Sequence, residues 1–210
     1  MLPKIVAVLP IRNLNDLDKI ENYLDADFIE LRLDYLNSIK ELNLNYIMKY
    51  KDKLILTIRD VTEGGKNRID DIEKMNFINK AIERGFLCDI EAKFIERYKV
   101  TYRDMIVSAH YLEELPTMEQ IVSLIDNYAK FAKYIKIAVI NKKGYRELLS
   151  KALELSDNIV VMPLNSNPLE RIAFSILGSK LIYGFIEEPV AKGQLHYKKI
   201  REILEILFKF

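Results

Sequence analysis

A lysine stands in the middle of YIKIAVI (134–140), a run that otherwise reads as a buried strand. Burying an ammonium without a partner is costly, and a desolvated lysine tends to give up its proton. A neutral lysine amine is a nucleophile for carbonyl carbon. Lys136 is therefore either a paired structural charge or a Schiff-base former. Other apolar runs are interrupted in the same way. Glu30, Arg32 and Asp34 punctuate DFIELRLD (27–34), and Thr57 and Arg59 close KLILTIR (53–59). Asp89 and Glu91 lie in FLCDIEA (86–92), and Ser108 and His110 in MIVSAH (105–110). An amine, an imidazole, carboxylates and guanidiniums are the groups of covalent and acid–base catalysis.

These groups need elements to hold them together. Short apolar, β-branched runs recur eight times: the five above, KIVAVLP (4–10), NIVVMPL (158–164) and LIYGFI (181–186). Segments of helical spacing lie between them. In TMEQIVSLIDNYAKFA (117–132), Thr117 and Gln120 make a capping-box pattern. In NPLERIAFSILG (167–178), Asn167 caps, Pro168 takes the first helical position, Glu170 completes a box and Gly178 stops the helix. KKIREILEILF (198–208) puts Ile200, Ile203, Leu204 and Leu207 on one face. Eight strands alternating with helices predict an α/β fold, a (β/α)8 TIM barrel formed by one compact domain over 1–210. The alternative, an open doubly wound sheet, wants a Gly-rich turn after the first strand, and PIRNLND supplies none. Alternate strand residues share a face, so Glu30, Arg32, Arg59, Asp89, Glu91, Ser108, His110 and Lys136 all point inward, near the C-terminal mouth where barrel active sites lie.

Bulk properties narrow the function. The chain has 210 residues, 50% of them hydrophobic, and a net charge of +1, so no basic excess suggests nucleic acid. The apolar run Ile5–Leu9 is too short for a membrane span or a secretory signal. One cysteine, Cys88, excludes an internal disulfide, fits a reducing, cytoplasmic setting, and reads as packing. With only two histidines, His110 and His196, a zinc site of the usual kind is not expected. Taken singly, each polar residue also has a plain structural reading. Glu30 with Arg32 makes an ion pair, Glu91 a buried partner for Lys136, His110 a satisfied histidine, and His196 a solvated one. Convergence at one mouth is what favours chemistry.

The ordered motifs resemble one family, the type I 3-dehydroquinate dehydratases, Schiff-base enzymes of the shikimate pathway. ELRLDYL (30–36) is similar to the family's Glu-x-Arg-x-Asp strand, and TIRDVTEGG (57–65) to its arginine followed by a Glu-Gly-Gly loop. DIEAKF (89–94), VSAHYLEELPT (107–117), KIAV (136–139) and GSKLIYGFIEEPVAKGQL (178–195) follow in the same order. The resemblance implies that Lys136 forms an imine with the substrate ketone. His110 then removes the adjacent proton and protonates the departing hydroxyl, and Glu91 orients His110. It also implies that Arg59 and Arg171 hold the substrate carboxylate, Glu30 and Arg32 the ring hydroxyls, and that Gln194 closes over the top. The family works without metal or cofactor, often as a homodimer, on the small acid 3-dehydroquinate. An iminium is a far better electron sink than a ketone, and one imidazole of near-neutral pKa serves as base and then acid. Arg171 falls in the first turn of the helix capped by Asn167, where the helix N-terminus and the guanidinium favour the same anion.

Two departures stand out. Where the family reads Ser-Ala-Pro before the last Gly-Gln, this chain has Val190-Ala191-Lys192, and Glu187 and Glu188 add charge nearby. The loops 60–68 and 187–196 are the expected lid elements. A class I aldolase on the same barrel would also need the lysine, but NSNP and EEPVAKGQ are poor phosphate turns. A non-catalytic barrel that binds a small acid would leave Lys136 without chemistry.

Overall fold

A computed structural model describes residues 2–189 and 193–208. Its frame is eight parallel strands: β1 (Lys4–Pro10), β2 (Phe28–Arg32), β3 (Leu54–Thr57), β4 (Leu87–Glu91), β5 (Ile106–Tyr111), β6 (Tyr134–Ile140), β7 (Ile159–Leu164) and β8 (Leu181–Phe185). Each predicted run overlaps one of them, and β5 continues one residue past MIVSAH to Tyr111. Their order is β7-β6-β5-β4-β3-β2-β1-β8, with each pair in parallel register. The sheet curls into a nearly closed barrel, a (β/α)8 TIM barrel. The β7–β8 seam is bridged at its base rather than by a ladder. Lys180 N donates to Ile159 O at 3.0 Å, and Val161 N donates to Ser179 Oγ at 3.0 Å.

Helices cover the outside: α1 (Leu44–Ile47), α2 (Asp71–Glu83), α3 (Ala92–Tyr98), α4 (Met118–Tyr128), α5 (Tyr145–Leu155), α6 (Pro168–Ile176) and α7 (Tyr197–Leu207). The first connection departs from the α-helical pattern and is a 3-10 helix, Leu14–Tyr23, capped by Asn13 and Asp16. Its segment is rich in Asn and Asp, whose side chains compete for backbone hydrogen bonds and weaken an α-helix. The outward strand residues are the apolar ones: Ile29, Leu31, Ile90, Val107, Ile135 and Ile137 are each 0% exposed beneath this layer. Gly184 in β8 permits close packing of α7, since a Cβ there would meet Tyr197 Cα at 2.7 Å.

The helix caps follow the sequence with one correction. Thr117 and Gln120 form the reciprocal box on α4. Asn167 accepts from Leu169 N at 3.0 Å and Pro168 opens α6, but Glu170 does not complete a box. Its carboxylate instead reaches α5, accepting from Tyr145 Oη and from Arg146 Nη2 at 2.8 Å. A guanidinium and a phenol outcompete one backbone N–H for the same oxygens. On α7, Ile200 and Leu204 are buried, whereas Leu207 is 41% exposed.

Candidate active site

The inward polar residues meet at the C-terminal mouth, in a cavity of about 340 Å³. Glu30, Arg32, Arg59, His110, Lys136 and Gln194 line it, together with Glu63 and Tyr183. Lys136 is 3% exposed. Its Nζ lies 2.9 Å from Asp89 Oδ2 and 3.6 Å from Glu30 Oε1, with the Tyr183 ring centre 4.2 Å away. The register that pairs Lys136 with Ser108, and Ser108 with Glu91, puts the β4, β5 and β6 side chains at neighbouring levels. Lys136 is thus paired, and the pairing leaves its amine at the wall of the cavity.

A second cation organises the same floor. Arg59 reaches Asp89 at 2.8 Å, Glu91 at 3.0 Å and Ser108 Oγ at 2.7 Å. Ser108 Oγ in turn donates to Asp89 at 2.6 Å, and Thr57 donates to Glu30 at 2.9 Å. Burial alone would raise the Asp89 carboxyl, but Arg59 and then Lys136 override it and hold the carboxyl well below its usual range. Beside this floor, Arg32 makes a two-point contact with Asp34, each bond 2.8 Å long.

Glu91 does not reach His110, contrary to the role implied for it. Its Oε2 accepts from Lys74 of α2 at 2.7 Å, and its Oε1 accepts from Arg59 and from Asp60 N at 2.9 Å. β4 ends at Glu91 and α3 begins at Ala92, so this last strand side chain faces α2 and the end of β3. The carboxylate on His110 belongs to Glu63, whose Oε2 takes both His110 N and Nδ1 at 3.0 Å. Glu63 sits on a one-turn 3-10 helix, Val61–Glu63, after β3. That turn folds tightly back on the strand: a Cβ on Gly65 would lie 2.0 Å from Arg59 O, so only glycine fits.

Burial dominates the His110–Glu63 pair from both sides. It pushes the imidazole well below its ordinary pKa, helped by Arg59 and Lys136. It pushes the Glu63 carboxyl up to about 7, with Arg59 opposing and Glu91 adding. The imidazole is therefore neutral at physiological pH. With Glu63 ionised, the carboxylate only accepts, so Nδ1 carries the proton and Nε2 is the free base.

Arg171 lies apart from the floor, 5% exposed in the first turn of α6. Its Nη1 donates to Tyr183 O at 3.4 Å, while Nε and Nη2 have no partner among the described residues. Burial lowers it to about 10, so it stays charged at neutral pH. Gln194 is 9% exposed. Val190 and Lys192 fall outside the described residues. Glu187 and Glu188, by contrast, gain a role. Glu187 pairs with Lys19 at 2.7 Å and Glu188 with Arg12, which ties the segment after β8 to the segment after β1. His196 accepts from Lys198 N at the start of α7, packs edge-on against Phe185, and is not among the residues that line the cavity. Cys88 is buried on the outward face, and burial raises its thiol to about 12. Among the described residues no group of His, Cys, Asp or Glu could hold a metal ion, and no helix is long and apolar enough to cross a membrane.

Residues 5–210 match the family described as Type I 3-dehydroquinase. The chain belongs to that family. It is 50% identical to the 3-dehydroquinate dehydratase of Sulfolobus acidocaldarius, covering 98% of this chain and 94% of the relative. Identity to the Saccharolobus solfataricus enzyme is 47%, covering 99% and 96%. Among solved structures, the type I enzyme of Clostridium difficile superposes with a TM-score of 0.79 at 26% identity, covering 99% of this chain and 93% of that one. As a type I 3-dehydroquinase the protein is a hydro-lyase.

In this 3-dehydroquinase, Glu63, Asp89, Ser108 and Lys74 are the site residues that the strand pattern did not assign a role. Asp89 shares its face with Glu91, and Glu63 lies in the quoted Glu-Gly-Gly loop; both signals were present in the sequence. Glu63→Gln makes the dyad testable. The folded-state pKa of Glu63 is raised, so its contribution to stability is fully present below the unfolded value. That contribution fades as pH rises through about 7. Glutamine removes the ionisation. Relative to the parent, the variant should therefore gain stability between pH 5 and 8, on the order of 2–3 kcal/mol at the upper end. It should lose kcat by about ten- to a hundredfold, since the charge that strengthens the base is gone. Thermal melts across pH, read beside kcat, check both; a stability difference that does not change with pH would refute the assignment.

Proposed function

We propose that this chain dehydrates 3-dehydroquinate to 3-dehydroshikimate through an imine on Lys136, as a single catalytic barrel over residues 1–210. The observation that carries the reading is the placement of the Lys136 amine between two carboxylates in the cavity that also holds His110. The ammonium hands a proton to a neighbouring base, and the free amine adds to the ketone. Asp89 and Glu30, which faced the ammonium, then face the iminium, so the cationic intermediate inherits contacts already in place. The neutral His110 removes the proton next to the iminium carbon. It returns that proton to the hydroxyl that leaves as water, and hydrolysis of the imine frees the product and Lys136.

Glu63 orients and charges His110, the role first given to Glu91. Glu91 instead holds Arg59, which fixes Asp89 and Ser108. Arg171, with two buried donor nitrogens unpartnered among the described residues, suits the substrate carboxylate better than the occupied Arg59. Glu30, Arg32 and Gln194 serve the ring hydroxyls. The Clostridium difficile relative is described with covalently modified comenic acid, which fits covalent chemistry in this barrel. The enzyme is further proposed to act in the cytoplasm, in the shikimate pathway to aromatic amino acids, and as a homodimer.

Borohydride trapping tests the reading. The protein is incubated with 3-dehydroquinate and sodium borohydride, digested, and searched for added mass. A reduced adduct on the peptide holding Lys136 is expected. Folded, active protein that yields no adduct would make Lys136 a structural charge and overturn the mechanism.

A further inference from the structure

Tyr183 points inward from β8 and is 2% exposed. Its ring centre lies 4.2 Å from Lys136 Nζ, and its backbone carbonyl accepts from Arg171. The residue thus joins the amine to the buried guanidinium, and it lines the cavity with Glu30 and His110. The aromatic face explains the ring but not the hydroxyl. The Tyr183 hydroxyl is buried and has no hydrogen-bond partner among the described residues. Phenylalanine would offer the amine a similar face without the cost of an unpartnered buried polar group. A polar group held this way, one side chain from a reacting amine, suits a partner that exists only during turnover.

We infer that the Tyr183 hydroxyl is a catalytic donor for the imine-forming step, hydrogen-bonding the carbinolamine oxygen produced when Lys136 adds to the substrate ketone. The inference rests on the imine reading above. Addition forms the C–N bond and moves the carbonyl π pair onto oxygen. Loss of water then breaks the C–O bond as the nitrogen lone pair forms C=N. Overall, a lysine ammonium and a ketone give an iminium and water, so both hydrogens of the water come from the ammonium. His110, the base of the same cavity, carries them. Tyr183 transfers no proton of its own; it stabilises the oxygen while charge gathers there. Burial, then Glu30 and Asp89, keep the phenol protonated, as a donor must be. The carbinolamine oxygen is two bonds from Nζ, which itself lies 4.2 Å from the centre of the Tyr183 ring.

Tyr183→Phe in the full chain tests this with four readouts: thermal stability, kcat and KM, the rate of borohydride trapping, and the kinetic isotope effect with substrate deuterated at the abstracted position. The variant is expected to be at least as heat-stable as the parent. Its kcat and trapping rate should fall together by about ten- to a hundredfold, and its isotope effect should shrink toward one as imine formation becomes limiting. An unchanged trapping rate with a full isotope effect would overturn the inference. So would a raised KM alone, or a lower melting temperature with normal kcat, which would make the hydroxyl a binding or packing group. If the parent itself forms no trapped adduct, the failure belongs to the imine reading and is seen before the variant is made.

Discussion

Lys136→Ala is expected to lower kcat by at least about 10⁴-fold, because no other group in the cavity can replace an amine as the nucleophile. Substrate binding should survive in part, since Arg171, Arg32 and Glu30 remain. The fold should survive as well. Without Lys136, Asp89 still has Arg59 at 2.8 Å and Ser108 at 2.6 Å, and Glu30 keeps Thr57 at 2.9 Å. No carboxylate is left bare, which limits the penalty that usually follows the loss of one partner of a buried pair. Turnover can be followed by the absorbance of the conjugated product, and binding by calorimetry. Activity within tenfold of the parent would rule out the covalent mechanism, whatever the trapping experiment showed.

The second large effect is on stability and lies outside the cavity. Lys74→Met is expected to destabilise the fold by about 3 kcal/mol, a fall in Tm of very roughly 10 °C. Lys74 is 2% exposed on α2, with Nζ 2.7 Å from Glu91 and 4.4 Å from the Phe94 ring centre. Methionine keeps the length and the contact with Phe94 but leaves Glu91 with one cation instead of two. If the charge is the cause, the same substitution should cost under about 1 kcal/mol in a Glu91→Gln background, and the difference is the coupling energy of the pair. Denaturant unfolding of the four proteins measures it. Equal costs in both backgrounds would mean that Lys74 matters only by shape. A few-fold loss of kcat should accompany the single change, because Glu91 holds Arg59, Arg59 holds Asp89, and Asp89 holds Lys136.

Several of these residues were legible in advance. Alternation along single strands put Glu30 with Arg32, Ser108 with His110, and Lys136 on an inner face, because a strand's period of two is a local property. Lys74 was not read from the sequence, and only the structure places it. It falls in register with Phe77, Ile78 and Ala81, the buried stripe of α2. A lysine on such a stripe needs a buried partner, and the structure supplies Glu91 at 2.7 Å. Glu63 was the harder case, since a one-turn 3-10 helix has no period to betray which way its side chain points. What signalled it was the pair of glycines behind it, one of which has no room for a Cβ.

The eight strands, their order along the chain, the polar inner face and the amine at β6 were determined by sequence alone, because each depends on local periodicity and on the right-handed rule for parallel connections. Which carboxylate serves the histidine was decided only by the tertiary structure. Glu91 and Glu63 are both acids at the mouth, 28 positions apart in the chain. The turn after β3 brings Glu63 to His110, while Lys74 and Arg59 hold Glu91 away from it. Side-chain partnership across a barrel depends on distances among elements far apart in sequence, and local periodicity does not encode them.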